Sequence, residues 1–257
     1  MKLGFHSLRW IVGLLAVIIA SCAYAAQPEE AFEQANKLYE QGKYAEAATA
    51  YERLRVQGQN SPALLFNLGN AKFKSGEIGR AIAAYLEAER LTPRDPDLRA
   101  NLRFARETAN ARHEEPKWRS ALRTVSLNEW TLLGGTALWL WLGLLAAAKL
   151  RPASATALHS WQRLALAATL VFGGTLGAAC YERFGLRDAV VIGKEAVVRH
   201  GPVEESQSAY TLRDGAEVHV LDETQGWLQV SDGQRRVGWV KREQLTVIGM
   251  RSSESRL

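Results

Sequence analysis

Cysteine is nearly absent from this chain. Cys22 and Cys180 are the only two in 257 residues, each in or beside an apolar stretch. No disulfide framework and no cysteine-based metal site can be built from them. Histidine is thinly spread: His6, His113, His159, His200 and His219 stand apart, without a nucleophile or a ligand spacing around them. A Walker-type glycine loop is missing. Glu114-Glu115 is an adjacent carboxylate pair in a charged connecting stretch, the setting of solvated charge rather than of acid–base chemistry. No catalytic residue, metal or cofactor is therefore expected, and the chain does not read as an enzyme. A basic domain is also lacking. The formal charge is +5, but residues 27–107 hold twelve acids and twelve bases, and residues 187–257 hold eleven acids and ten bases. The surplus cations, Lys2, Arg9, Lys149, Arg151 and Arg163 among them, flank apolar segments, where they orient a chain in a membrane. Nucleic acid is excluded as a partner on that distribution.

What is present begins with an export leader. Lys2 and Arg9 precede "WIVGLLAVIIA" (Trp10 to Ala20), too short for a comfortable bilayer crossing, and Ala23-Tyr24-Ala25 offers a small-x-small cleavage site. Residues 1–25 read as a signal peptide on this pattern. Ile19-Ala20-Ser21-Cys22 competes with it, because it resembles a lipobox in which Cys22 becomes a lipidated N-terminus. An uncleaved anchor is the third reading. All three place the chain after the leader outside the cytoplasm.

Two further runs, 130–148 and 164–181, carry no charge and are long enough to span a bilayer as helices. Residues 149–163 join them with three bases and no acid, which puts this loop in the cytoplasm and both flanking regions in the periplasm of a bacterial inner membrane. Residues 112–129 form a juxtamembrane linker. Trp118, Leu122 and Val125 alternate there with Lys117, Arg119 and Arg123, the pattern of a helix lying along the membrane surface.

Residues 28–111 contain a repeat. Ala35/Gly69, Gly42/Gly76, Tyr44/Ile78, Ala47/Ala81 and Tyr51/Tyr85 are all 34 apart. A 34-residue period with small residues at fixed offsets resembles the tetratricopeptide repeat, a helical hairpin that stacks on its neighbours. Ser61-Pro62 and Asp95-Pro96 read as N-cap followed by N1 proline. Asp97 to about Ala111 is expected to cap two repeats. Asn36 and Asn70, like Asn67 and Asn101, share the same period. They predict a ladder of amides that could hold an extended peptide backbone, the competing reading being turn caps or solvated amides.

From residue 187 to 250 the pattern turns to period two. "AVVIG", "EAVVR", "AEVHVL", "GWLQVS" and "RVGWVK" read as strands, with Val218, Val220, Leu228, Val230 and Val240 facing inward. Asp232-Gly233 predicts a two-residue hairpin turn with both φ positive. Val198-Arg199-His200-Gly201-Pro202, Gly226-Trp227 and Val237-Gly238-Trp239-Val240 resemble the bacterial SH3-like domain. Trp227 and Trp239 are the candidate ligand face. Residues 251–257 read as a disordered tail.

The fold class is thus a multidomain membrane protein: all-α tetratricopeptide hairpins, a two-helix transmembrane hairpin and an all-β SH3-like small barrel. This order resembles the BatE-type proteins of the Bacteroides aerotolerance operon. The resemblance implies membrane partners with von Willebrand factor A domains and a role as a periplasmic scaffold. A cell-wall module that contacts peptidoglycan is the alternative.

Overall fold

The computed structural model describes residues 29–111, 117–151 and 155–249. The expected signal peptide, Cys22 and the expected disordered tail lie outside them.

Five helices form the N-terminal stack: α1 (29–40), α2 (Tyr44–Val56), α3 (Pro62–Lys74), α4 (Ile78–Leu91) and α5 (Pro96–Thr108). The caps sit where the sequence puts them. Ser61 Oγ accepts from the Leu64 amide, and Asp95 Oδ1 accepts from Asp97 and Leu98. Ala35, Ala47 and Ala81 are completely buried. The small residues are required by contact: a Cβ on Gly69 would lie 2.4 Å from Cε1 of Tyr85. Tyr51 and Tyr85 fill the space beside these seams, at 1% and 2% exposure.

Helix α4 is buried all round, with every residue from Ala81 to Ala88 inaccessible. A helix with no wet face must be covered on both sides. The stack covers one side. The other is covered by the C-terminal β domain.

That domain is a seven-stranded antiparallel sheet in the order β3-β2-β6-β5-β4-β1-β7. The strands are β1 (Arg187–Val191), β2 (Glu195–Arg199), β3 (Ser208–Arg213), β4 (Glu217–Thr224), β5 (Trp227–Ser231), β6 (Val237–Lys241) and β7 (Leu245–Val247). The five inward positions read from the sequence are all buried. Strands β3 and β7 escaped the sequence reading, because the first follows a Gly-Pro loop and the second is three residues long. The predicted two-residue turn at Asp232-Gly233 is not formed. Ser231 pairs with Val237, so residues 232–236 make a five-residue loop. Asp232, only 8% exposed, organises it by accepting from the amides of Gln234 and Arg236 and from Arg236 Nε. The two-residue turn with both φ positive lies instead at Gln225-Gly226 (+42° and +83°), closing β4 onto β5. The second Gly-Trp pair has a different cause: a Cβ on Gly238 would meet Val198 Cγ1 at 2.5 Å and the Arg199 carbonyl at 2.8 Å.

Val190 and Ile248 leave the β core and join the helical one. Their union with α4 depends on backbone approach. A Cβ on Gly79 would lie 2.1 Å from the Val191 carbonyl oxygen, and the Gly79 amide donates to the Asp214 carboxylate. Gly215, at φ +83°, leaves room for Ile82 and Ala109. Arg106 closes the far side through a two-pronged bond to Glu217, at 2.6 and 3.0 Å.

Between the two domains in sequence come α6 (Lys117–Arg123), α7 (Leu127–Leu150) and α8 (Ala155–Cys180). Gln162 donates to the Leu144 carbonyl, and Gly134 faces the Phe172 carbonyl, so α7 and α8 are antiparallel. Trp139, Leu132 and Leu170 are 75%, 70% and 67% exposed. Both helices are long and apolar enough to cross a membrane, and almost none of their surface is buried by protein. They associate the chain with a membrane. Because the helical stack and the β domain are packed on each other, both stand at the same end of this hairpin.

Candidate functional site

The concave side of the stack holds the predicted asparagines. Asn36 Oδ1 accepts from the Tyr51 hydroxyl at 2.6 Å and from Asn67 Nδ2 at 3.1 Å. One repeat later, Asn70 Oδ1 accepts from the Tyr85 hydroxyl at 2.7 Å and from Asn101 Nδ2 at 2.9 Å. Each triad ties three helices, and all three members advance by 34 residues. Burial pushes the Tyr51 phenol up to about 12 and raises that of Tyr85 as well. Both stay protonated and serve as donors at any physiological pH.

Half of the amide capacity is thereby used between helices. Asn36 Nδ2 goes to Glu33 Oε1. The Nδ2 of Asn70 and the Oδ1 atoms of Asn67 and Asn101 are not used in the triads, and they belong to half-buried residues. A 220 Å³ pocket opens here, lined by Glu33, Asn36, Tyr39, Glu40, Asn67 and Asn70, with Tyr51 at its floor. Its walls offer carboxylates, amides and phenols, and no cation. Such a surface can bind the donors and acceptors of an extended chain.

The two tryptophans of the β domain differ in use. Trp227 is 8% exposed, with Lys241 Nζ 5.9 Å from its ring centroid. Trp239 is half-buried and stands opposite Arg199 across β2 and β6. Strand alternation puts Val197 and Arg199 of β2 on one outer face with Val237 and Trp239 of β6, and Val237 is 47% exposed. The Arg236 guanidinium lies 4.1 Å over the Tyr210 ring. This half of the sheet is remote from β1 and β7, which meet α4.

A charged cluster at the junction went unread in the sequence. Asp188, the second residue of β1, accepts from Arg119 Nη2 at 3.0 Å on both oxygens and from Arg123 Nη2 at 2.8 Å, with His219 Nδ1 at 2.7 Å. Glu182 lies 3.2 Å from Arg119 Nε and accepts from Arg123 Nε at 2.7 Å. Arg119, Glu182 and Asp188 are at most 9% exposed. Burial alone would raise the Asp188 pKa, but the His219 hydrogen bond and the Arg119 and Arg123 charges outweigh it and hold that carboxyl far below the ordinary range. Glu182 reaches the cluster because a π turn, Tyr181–Gly185, follows α8 and shifts the phase of its side chains. Thus α6 turns Arg119 and Arg123 toward protein, while its Trp118 stays 55% exposed. The only sequence signal was the lone Glu182-Arg183 pair beside an apolar run.

Comparison with known families agrees with these two folded regions. Residues 32–96 match the tetratricopeptide repeat family, and residues 193–246 match the bacterial SH3 domain family. No curated protein matches the chain. Both families are binding modules, and nothing positive points to catalysis. The chain thus carries tetratricopeptide repeats and a bacterial SH3 domain, joined through two long apolar helices.

Proposed function

We propose that this protein is a membrane-anchored interaction scaffold of the bacterial envelope, with both folded domains in the periplasm. The concave groove takes an extended segment of a protein partner. One observation carries the reading: the SH3-like domain docks on helix α4, so the pocket lined by Asn36, Asn67 and Asn70 is left open, with Asn101 bonded to Asn70 beside it. The basic loop at 149–163 and the export leader support the periplasmic side. The resemblance to BatE-type proteins supports a place in a Bat-type complex, with von Willebrand factor A domain membrane proteins as partners.

The test uses the full chain in detergent against such a partner domain. Asn67→Ala with Asn70→Ala and Asn101→Ala removes the amide groups left outside the triads together with the triad bonds of these residues, and should weaken capture about tenfold or more, at about 0.5–1.5 kcal/mol per lost bond. Tyr51→Phe with Tyr85→Phe breaks the triads but leaves those amides in place, and should lower stability without lowering affinity. Equal affinity loss in both variants, or none in the asparagine variant, would move binding away from the groove.

A second reading rests on the outer face of β2 and β6. Trp239, Val237 and Val197, flanked by Arg199, form an apolar strip with a cation on the side of the barrel away from α4. That strip suits a sugar ring with an anionic peptide stem, so the SH3-like domain is the candidate contact to peptidoglycan. Cosedimentation of the full chain with purified peptidoglycan, lost in Trp239→Ala and kept in Asn67→Ala, would favour it.

A further inference from the structure

Where α8 ends, its terminal turn meets the α2–α3 loop and β7 around an open groove of 710 Å³. Four arginines line this groove, Arg55, Arg90, Arg183 and Arg187, against one carboxylate, Glu87. Glu87 is already used: it is 8% exposed, bound to Arg55 at 2.7 Å and capped by the Gly249 amide. Arg187 turns to the partly exposed Glu223 on the surface. Arg183 donates to the carbonyl of Arg90, a neutral acceptor, at 2.7 Å. Arg90 donates in turn to the Ile248 carbonyl, with Asp188 more distant at 3.6 Å. Burial disfavours the protonated forms of both Arg90 and Arg183 and Arg123 adds to it, while Asp188 beside Arg90 and Glu182 beside Arg183 oppose the shift without cancelling it. Four guanidinium groups thus line a groove whose one lining carboxylate is already paired, their other carboxylate neighbours, Asp188, Glu182 and Glu223, lying outside the lining.

The rest of the groove carries exposed apolar side chains beside the amides of Gln57 and Asn60. Phe184, Val56 and Leu91 are 73%, 70% and 40% exposed around one opening. Such a patch calls for a covering partner. Its position names the partner. Arg183 to Arg187 follow Cys180 by three to seven residues, within about 10 Å of the end of the span at helical rise. That is roughly the depth of the headgroup layer, about 5–8 Å on each side of the hydrocarbon core.

We infer that this groove binds an anionic glycerophospholipid, its phosphate held by Arg183 with Arg90 and Arg187, its acyl chain started along Phe184 and Leu91. An acidic peptide would match the charge. It would also set unsatisfied backbone groups against the apolar rim. A lipid has its charge and its hydrocarbon in the required order, and is always present at that depth.

The experiment uses the full chain in detergent, exchanged into nanodiscs of equal phosphatidylglycerol and phosphatidylcholine. Native mass spectrometry then counts the lipids retained. Phosphatidylglycerol should be enriched, by about fivefold for each participating arginine. Arg183→Gln with Arg187→Gln should cut the enrichment to the roughly fivefold that Arg90 alone supplies, whereas Arg183→Lys with Arg187→Lys should keep most of it. Arg103→Gln with Arg213→Gln removes the same charge from exposed sites elsewhere and should leave the ratio unchanged. Parity of the two lipids in the wild type, or an equal loss in the control, overturns the site. Arg187→Gln alone guards against misfolding, since its partner Glu223 is at the surface. If that variant melts like the wild type and retains full enrichment, the inference fails. Displacement of lipid by excess inorganic phosphate would mark a free-anion site, and displacement by a polyglutamate peptide would mark a protein site. Either result overturns the lipid.

Discussion

Replacing Asp188 with asparagine tests the junction most directly. The substitution keeps the shape and removes one charge from a cluster in which Arg119 is only 4% exposed. Removing one member of a buried ion pair typically costs about 3–5 kcal/mol, because the partner is left desolvated and unpaired. Here Glu182 still contacts Arg119 and Arg123, and the new Oδ1 can still accept from His219, so the lower end applies. At about 3 kcal/mol the melting temperature should fall by roughly 6–12 °C for a folded unit of this size. The assay is near-ultraviolet circular dichroism of the full chain in detergent, with Glu223→Gln as control. That control breaks two partly exposed pairs, to Arg187 and to Arg242, and should cost about 1 kcal/mol or less for each. Asp188→Asn combined with Arg119→Met should recover part of the loss, since no unpaired guanidinium is then buried. Acidity gives a second readout. The folded Asp188 pKa lies far below the unfolded value, near 3.9. Its stabilisation is therefore complete above the unfolded pKa and is lost as pH falls through the folded one. Wild type should lose stability below about pH 4 with a steeper slope than Asp188→Asn. A shift under about 2 °C at neutral pH, or equal acid slopes, would refute the idea that this cluster fastens the domains.

Gly79→Ala places a Cβ against the Val191 carbonyl and the Asp214 carboxylate, so it should separate the β domain from α4. Limited proteolysis between the domains would report this as faster cleavage, while Gly233→Ala, with open space around it and no positive φ, should leave the rate unchanged. Tyr85→Phe removes one hydroxyl from a triad and should cost about 0.5–1.5 kcal/mol, read as a lower melting temperature with unchanged helix content. Alkaline phosphatase fused after Ala111 or after Leu245 should be active and a fusion at Ala157 inactive. Activity only at Ala157 would reverse the orientation.

The sequence was most legible where structure is local. The 34-residue period announced the helical hairpins, because each repeat needs the same small residue at the same close contact, as at Gly69 under Tyr85. Period-two alternation found five of the seven strands and the inward set from Val218 to Val240, since a pleated strand exposes every second residue. The Asp232-Gly233 turn failed for a definite reason: a buried carboxylate that binds three groups selects a longer loop than the dipeptide favours by itself.

The groove was half visible. The asparagines and tyrosines were each identified by spacing, but their meeting in triads depends on how three helices pack side by side. The junction left only the Glu182-Arg183 pair as a trace. Arg119 and Asp188 are 69 positions apart with two long apolar helices between them, and no periodicity relates them. Sequence by itself determined the elements, because periodic burial and helix caps act over a few residues. The tertiary structure alone decided that α4 is covered by β1 and β7, that Gly79 and Gly215 let the two backbones touch, and that two carboxylates hold Arg119 and Arg123 of α6 against the protein. These contacts are set by long-range backbone approach and by the desolvation of paired charges, and neither leaves a local pattern in the chain.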